Sequence, residues 1–196
     1  MEKYCFERPS LKRKEEIIEY FDEYIEYKSD IHGAGGMDKI YKGYTFEEAL
    51  DRCLKMDKED YARSVNKCPG KTFLLIRKPD NKIIATINVR WNLNEEMLKF
   101  AGHIGYGVRP TERRKGYGKL NLYMALIEAK RIGLDKVMVS CSEDNLASDR
   151  TIKALGGVFD RSEVDLEDNK ITKIYWINVE ESIEKYKDIY DKYILR

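Results

Sequence analysis

Residues 105–120 read Gly105-Tyr106-Gly107-Val108-Arg109-Pro110-Thr111-Glu112-Arg113-Arg114-Lys115-Gly116-Tyr117-Gly118-Lys119-Leu120, a stretch that decides the fold class. It has the pattern of a strand end, a short basic loop and the start of an apolar helix. Gly116 and Gly118 let the backbone turn sharply and approach a ligand, and a helix N-terminus carries about half a positive charge. Unpaired amides at such a terminus bind phosphate. The stretch therefore predicts a phosphate site, with an ordinary tight turn as the alternative.

The kind of phosphate ligand is narrowed by what the loop lacks. It has no Gly-Lys-Ser/Thr ending, and no Gly-x-Gly-x-x-Gly motif follows a strand, which argues against ATP, GTP and dinucleotides. Arg113, Arg114, Lys115 and Lys119 add positive charge, although one small loop cannot aim four cations inward. A different phosphate compound is therefore expected.

The rest of the chain alternates between strand and helix patterns. Apolar runs with a period of two predict strands, and apolar positions three or four apart predict helices. The predicted strands are residues 72–77, 83–91, 100–108, 136–141, 158–164 and 171–178. The predicted helices are residues 11–27, 46–56, 118–132, 145–155 and 180–195. Turns at 79–82 and 167–170 join two hairpins, and the overall pattern predicts the α/β class, with helices flanking one sheet.

Motif A of the GCN5-related N-acetyltransferases (the GNAT superfamily) resembles the phosphate loop. The shared residues are Arg113-x-x-Gly116-x-Gly118, preceded by Val108-x-Pro110 and opening a helix. The resemblance implies the GNAT, or acyl-CoA N-acyltransferase, fold, in which a mixed β-sheet is splayed at its centre. It also implies that acetyl-CoA, as co-substrate and without a metal, lies in the cleft between strands 100–108 and 137–141.

A second resemblance lies further along the chain. The strand at 137–141 is followed by Asn145-x-x-Ser148, a helix and Gly156, which is similar to motif B of the superfamily. Together the two motifs span about residues 83–177. With residues 102–106, they are similar to an uncharacterised branch of predicted acetyltransferases within it.

The resemblance implies which residues hold acetyl-CoA. The loop amides would bind its pyrophosphate, and the strand end would pair with its pantetheine arm. The candidate cofactor-binding residues are Val108, Arg113, Arg114, Lys115, Gly116, Tyr117, Gly118, Lys119, Asn145 and Ser148. For Asn145 the alternative is a helix cap alone, and for Ser148 it is a solvated helix serine.

Three residues are candidates for the chemistry. His103 is the candidate base, because an imidazole titrates near neutrality; the alternatives are a hydrogen-bonded structural histidine, or Glu143 and Asp144 acting through a water. Many family members carry a tyrosine seven residues after the asparagine as the acid, but this chain has Ile152. Tyr106 and Cys141 are the candidate replacements.

The acceptor side is predicted from the alternation in strand 83–91. Thr86, Asn88 and Arg90 share one face, and Arg90 is placed to pair with a carboxylate on the acceptor, with an exposed sheet face as the alternative. Three glycines in residues 33–36 predict a loop that either closes over the acceptor or is merely disordered.

Composition limits the class of protein. The 36 basic and 35 acidic side chains leave a net charge of +1, which argues against nucleic-acid binding through phosphate neutralisation. No apolar stretch is long enough for a membrane span, and no secretory signal opens the chain, so we expect a cytoplasmic protein. The four scattered cysteines are expected to be reduced thiols rather than metal ligands.

The sequence thus predicts one GNAT-like domain over residues 1–178. Residues 1–70 would form a helical acceptor-side part and residues 71–178 the acetyl-CoA core, followed by an amphipathic helix at 179–196 that could form a homodimer seam. The expected activity is direct acetyl transfer from acetyl-CoA, in a ternary complex, to an amine of a small molecule, or less favourably of a protein. The alternative is a non-catalytic acyl-CoA-binding module or sensor.

Overall fold

The computed structural model describes residues 2–164 and 169–195, which form one mixed sheet flanked by helices. The strands are β1 (Tyr4–Glu7), β2 (Gly70–Arg77), β3 (Lys82–Arg90), β4 (Ile104–Val108), β5 (Lys136–Ser142), β6 (Val158–Val164) and β7 (Ile171–Asn178). The helices are α1 (Lys14–Glu26), α2 (Phe46–Lys55), α3 (Glu59–Ser64), α4 (Tyr117–Arg131), α5 (Leu146–Ala154) and α6 (Val179–Tyr190). None of these helices is both long enough and apolar enough to cross a bilayer.

The sheet is splayed between its two central strands. Its order is β1-β2-β3-β4-β5-β7-β6, and β4 and β5 are its one parallel pair within the described residues. These two strands pair only at Ile104 and Val139, whereas β4 pairs with β3 along its whole length. Residues 105–108 therefore have no strand partner on the β5 side, as the fold class predicted.

Helices cover both faces of the sheet. On one face, the apolar side chains of β3 and β5 pack against α4, whose buried residues occur almost all round the helix. On the other face, α1 and α2 pack against Leu74, Ile76 and Ile83. Because α4 is held by the sheet on one side and by α6 on the other, its N-terminus is fixed relative to the end of β4.

The predicted strand at 100–108 is wrong in its first half. A π-helical turn occupies Met97–Ala101, and Gly102 follows with φ of +71°, so the strand begins only at Ile104. A glycine in that conformation interrupts an extended run. His103 consequently precedes β4 instead of lying within it.

Two elements were not predicted, and one ends early. Strand β1 has four residues and α3 has six without a side-chain cap, so neither carries a strong sequence pattern. Helix α6 ends at Tyr190, and a 3-10 turn then brings Ile194 beside Tyr4 of β1. The turn predicted at 167–170 lies partly outside the described residues.

Candidate functional site

The loop between β4 and α4 is anchored to α1 by one buried arginine. Arg109 donates from Nε to Glu23 at 2.6 Å and from Nη2 to Glu19 at 2.5 Å. The second carboxylate oxygen of Glu23 accepts from the backbone N–H and the hydroxyl of Thr111, both at 2.8 Å. The first residues of the loop are therefore fixed to α1.

A buried carboxylate anchors the middle of the same loop. Glu112 accepts hydrogen bonds from Lys115 at 2.8 Å, from Arg77 at 3.2 Å and from Lys82 at 3.3 Å. Burial alone would raise the pKa of Glu112, but these three cations lower it to about 2. The acid therefore stays charged at neutral pH and keeps the loop in place.

The segment that follows presents a row of unpaired amides. Arg114 has φ of +64° and Gly116 has φ of +87°, and these left-handed positions turn the chain into the start of α4. Among the described residues, nothing accepts a hydrogen bond from the backbone N–H groups of residues 114–118. Five consecutive free donors at a helix N-terminus fit an anionic group such as a pyrophosphate.

The loop's cationic side chains have two different uses. Arg113 folds back on the loop, donating to the carbonyl of Val108 at 3.1 Å and to the hydroxyl of Ser29 at 2.7 Å. Lys115 is paired with Glu112. Arg114 and Lys119 are exposed and have no partner among the described residues, so their side chains are free to reach a phosphate.

Tyr117 is turned away from such a ligand. Its hydroxyl accepts hydrogen bonds from Tyr4 and Arg77, each at 3.2 Å. The space around Gly118 is open: a Cβ built on it would make only ordinary contacts with Thr151 and Val108. The amides of both residues remain unpaired, so Tyr117 can contribute its backbone but not its ring.

Where the sheet splays, Tyr106 of β4 reaches α5. Its hydroxyl lies 2.9 Å from the hydroxyl of Ser148, and burial raises its pKa to about 12. Burial also raises the pKa of the Cys141 thiol, at the end of β5. Asn145 caps α5, because its Oδ1 accepts from the backbone N–H of Ser148 at 3.0 Å, while its Nδ2 donates to no described residue. The structure therefore brings Tyr106, Cys141, Asn145 and Ser148 together.

Ile152 belongs to the core. Its side chain is fully buried among residues of β3, β5 and α4. Ile152 therefore supplies no acid, and the hydroxyl of Ser148 lies one turn earlier on α5.

His103 is held as part of the framework. Its Nδ1 accepts the backbone N–H of Met138 at 2.9 Å, and its ring lies 5.9 Å from that of Trp176. Burial and the neighbouring Arg90 lower its pKa to about 4. The side chain is buried and does not line the cavity described next, so the structure does not bring it to the other candidate residues.

A cavity of about 610 Å³ opens beside the splay, next to the N-terminal part of the chain. It lies between the 31–39 segment, α2, the turn at Met97–Ala101, and the ends of β4 and β5. Tyr106, Cys141, Asn145 and Ser148 line it. Further polar lining residues, among them Asp38, Lys39, Arg52, Lys67 and Cys68, were not predicted because they lie in no motif.

The predicted polar row of β3 faces this side. Thr86 donates to the carbonyl of His32 at 3.1 Å, which ties the glycine-rich segment to the sheet. Asn88 donates to Thr72 at 3.0 Å, and both Asn88 and Arg90 line the cavity. Gly33 sits against β4 so closely that an added Cβ would lie 2.6 Å from the Cα of Tyr106. The segment is therefore packed on the sheet as one wall of the cavity.

The chemistry of the site is that of free amides, hydroxyls and cations. Across residues 2–164 and 169–195, no cluster of three or more histidine, cysteine or carboxylate side chains could hold a metal ion. The free amides lie at one end of the splayed strand and the cavity at its side. This arrangement suits an elongated phosphate-bearing ligand in the splay and a second molecule in the cavity.

Comparison with known proteins agrees with this geometry. The ribosomal-protein-S5-alanine acetyltransferase from Vibrio fischeri has 17% identity and a TM-score of 0.67, with 92% of this chain and 96% of that chain covered. An acetyltransferase of the GNAT family from Streptococcus pneumoniae has 15% identity and a TM-score of 0.62, covering 90% and 99%. The microcin C7 self-immunity acetyltransferase MccE, in complex with acetyl-CoA and AMP, has 15% identity and a TM-score of 0.60, covering 90% and 92%.

These likenesses show the fold. Sequence comparison with curated proteins gives no match. The model of the Acetyltransferase (GNAT) family matches residues 36–156, which is more than half of the chain and includes the free amides, the splay and α5. The chain belongs to the GNAT family of acetyltransferases.

Proposed function

We propose that this protein transfers the acetyl group of acetyl-CoA directly to the amine of a small molecule, with both substrates bound at once. The observation that carries the proposal is the row of free amides at residues 114–118, placed at the end of the splayed strand β4. Family membership supplies the reaction class, and the cavity beside the splay supplies room for an acceptor.

The chain has the groups needed to hold acetyl-CoA. The amides of residues 114–118 would bind its pyrophosphate, with Arg114 and Lys119 adding charge. The edge of β4 at residues 105–108 has no strand partner on the β5 side, although Arg113 donates to the carbonyl of Val108. This edge and the free Nδ2 of Asn145 would bind the pantetheine arm, as an added strand does. Acetyl-CoA supplies the activated thioester.

Tyr106 is our candidate for the acid that protonates the departing thiolate. Because burial raises its pKa to about 12, its hydroxyl keeps its proton at every pH where the protein is assayed. Ser148, 2.9 Å away, fixes the hydroxyl in the splay. A thiol with a pKa near 8.5 also leaves without full protonation, so Tyr106 contributes a modest part of the rate. Cys141 lies beside it, and its protonated thiol is the second candidate acid.

The amine proton leaves to water in the open cavity. His103 cannot accept it at Nδ1, because that atom is occupied by the Met138 N–H. The activity should therefore follow ionisation of the acceptor amine itself. A cavity of about 610 Å³ lies within the range typical of small-molecule sites, which favours a small acceptor over a folded protein.

Thermal unfolding with added ligands tests the first step. Acetyl-CoA and CoA should each raise the melting temperature by about 5–10 °C at a hundredfold excess over the dissociation constant, whereas ATP and NAD should not. Amines are then screened for release of the CoA thiol. The absence of any shift with acetyl-CoA would overturn the proposal.

A non-catalytic acyl-CoA sensor is the second candidate, favoured by one observation. Many family members carry a tyrosine that acts as the general acid at the position where this chain has the buried Ile152. Three results together would favour the sensor. Acetyl-CoA would give a thermal shift, no amine would cause thiol release, and Tyr106→Phe would not change the slow hydrolysis of acetyl-CoA.

A further inference from the structure

We infer that the acceptor amine carries a carboxylate, and that Arg90 binds this carboxylate in the cavity. The inference rests on the proposed function and names the substrate class of the same site. Arg90 is the last residue of β3, and its side chain lines the cavity and extends toward the turn at Met97–Ala101.

Arg90 is a cation without a counterion. Its Nη1 lies 3.6 Å from the sulfur of Met97 and its Nη2 lies 3.4 Å from the carbonyl of Ala101, both weak contacts. Its Nε is buried and has no hydrogen-bond partner. Within the described residues, no carboxylate comes within ion-pair distance of it. Burial consequently lowers the pKa of this guanidinium to about 10.

An unpaired, desolvated guanidinium is costly for a folded protein, so its presence calls for a partner that binds there. Arg90 is itself only partly buried, and the two buried arginines of the described residues both have such a partner. Arg109 pairs with Glu19 and Glu23, and Arg13 pairs with Glu7. Arg90 differs from these two in facing a cavity open to small molecules, where a ligand can supply the missing carboxylate.

Two glycines leave room for this side chain. A Cβ on Gly70 would lie 3.0 Å from Cγ of Arg90, and a Cβ on Gly105 would lie 3.2 Å from its Nη2. Larger residues at either position would push the guanidinium aside. Because Gly105 belongs to the splayed strand, the guanidinium is held against that strand.

The charge of the cavity also favours an acceptor that carries a carboxylate. Four cations line it, namely Lys39, Arg52, Lys67 and Arg90, against the single described carboxylate of Asp38. Asp38 in turn lies 3.8 Å from Lys42. Such a lining repels a polyamine and attracts an amine whose net charge is zero or negative. The planar fork of one guanidinium matches the two oxygens of a carboxylate.

Matched acceptors test the inference. The wild-type protein, saturated with acetyl-CoA, is assayed for thiol release with ω-amino acids of two to six carbons and α-amino acids, each paired with the alkylamine that lacks the carboxylate. Spermidine, aminoethylphosphonate and a peptide with a free N-terminus complete the panel. We expect a carboxylate-bearing amine to have the highest kcat/KM, about tenfold to a hundredfold above its paired alkylamine.

Arg90→Met then removes the charge while keeping most of the bulk. The preference for the carboxylate should disappear, whereas kcat/KM for the paired alkylamine should stay within about threefold. Arg131→Met, an equal change at an exposed pair with Glu128 on the last turn of α4, is the control and should keep the full preference. An unchanged preference in Arg90→Met would overturn the assignment.

Stability separates binding from a structural role. Removing an unpaired buried cation should leave the melting temperature of Arg90→Met unchanged or raise it, whereas an arginine that the fold needs would lower it. Butyrate, added to the CoA-loaded protein, should raise the melting temperature of the wild type but not of Arg90→Met. The inference is overturned if spermidine or an alkylamine is the fastest acceptor, or if butyrate does not raise the melting temperature of the wild type. If aminoethylphosphonate is preferred, the carboxylate assignment is overturned in favour of a phosphonate. If acetyl-CoA itself does not bind, the proposed function is overturned instead.

Discussion

The hydroxyl of Tyr106 on β4 lies 2.9 Å from the hydroxyl of Ser148 on α5, so one hydrogen bond spans the splay that opens beyond the Ile104–Val139 pair. If Tyr106 is the acid, Tyr106→Phe should lower kcat by about tenfold to a hundredfold, at the low end of general acid catalysis because a thiolate leaves readily. Steady-state thiol release measures it. The KM for acetyl-CoA should change little.

Tyr41→Phe is the matched control for that variant. Tyr41 is exposed and donates to Asp22 at 2.5 Å, away from the cavity lining, so its loss should leave kcat unchanged. Full kcat in Tyr106→Phe would transfer the role to Cys141, which Cys141→Ser would then test.

A negative charge at the start of α4 should block acetyl-CoA without harming the fold. In Gly118→Asp, the new Cβ meets Thr151 and Val108 only at ordinary contact distance, and an acid in the first turn of a helix is favourable. The melting temperature of the free protein should therefore hold or rise. The affinity for acetyl-CoA, measured by calorimetry, should fall at least about tenfold through repulsion of the pyrophosphate.

Lys136→Gln provides the comparison for that change in charge. It also lowers the net charge by one, but Lys136 lies at the start of β5, whereas the α4 N-terminus follows the opposite end of the parallel strand β4. Unchanged affinity is expected there. Equal losses in both variants would show a general effect of net charge rather than a pyrophosphate site.

The prediction of the loop and α4 from sequence was confirmed because their signals are local. Glycine positions, a basic loop and an apolar helix fix backbone geometry within about fifteen residues. The same locality explains the prediction of the polar row of β3. Arg90 could be placed on a face by alternation, but its lack of a counterion depends on residues far along the chain.

Features that depend on such distant contacts were missed or displaced. The apolar run around His103 predicts a strand there, but Gly102, with φ of +71°, interrupts the extended backbone just before it. Its partner, the N–H of Met138, lies 35 residues away and has no sequence signal. Helix α3 and the cavity residues Lys39 and Lys67 likewise have no motif, since tertiary packing alone brings them to the site.

The histidine should appear in the pH dependence of stability. Because the folded pKa of His103 is about 4, below its ordinary value of 6.5, the unfolded chain binds a proton that the folded chain does not as the pH falls from 6.5 to 4. Stability is thus fully present above pH 6.5 and is lost toward pH 4, by about 3 kcal/mol at most. Urea unfolding at several pH values measures the loss.

His103→Asn keeps an acceptor for the Met138 N–H but cannot titrate. It should unfold with a flatter pH dependence between 6.5 and 4, and should retain acetyl transfer with the same pH profile. The carboxylate of Glu112, with its pKa lowered to about 2, causes a separate loss at lower pH in both proteins. A large loss of activity in His103→Asn, with stability intact, would restore the histidine as the base.

Helix α6 should act as a cover of the domain. Ile183 is half-buried against the core that includes α4, whereas Ile189, less than two turns further along, is 49% exposed. Ile183→Asp should therefore lower the free energy of unfolding by about 2–4 kcal/mol, and Ile189→Asp by less than about 0.5 kcal/mol. Urea unfolding and light scattering are measured on both variants. If Ile183→Asp kept its stability and instead halved the molar mass, α6 would be a dimer seam, and the apolar stripe would serve association rather than folding.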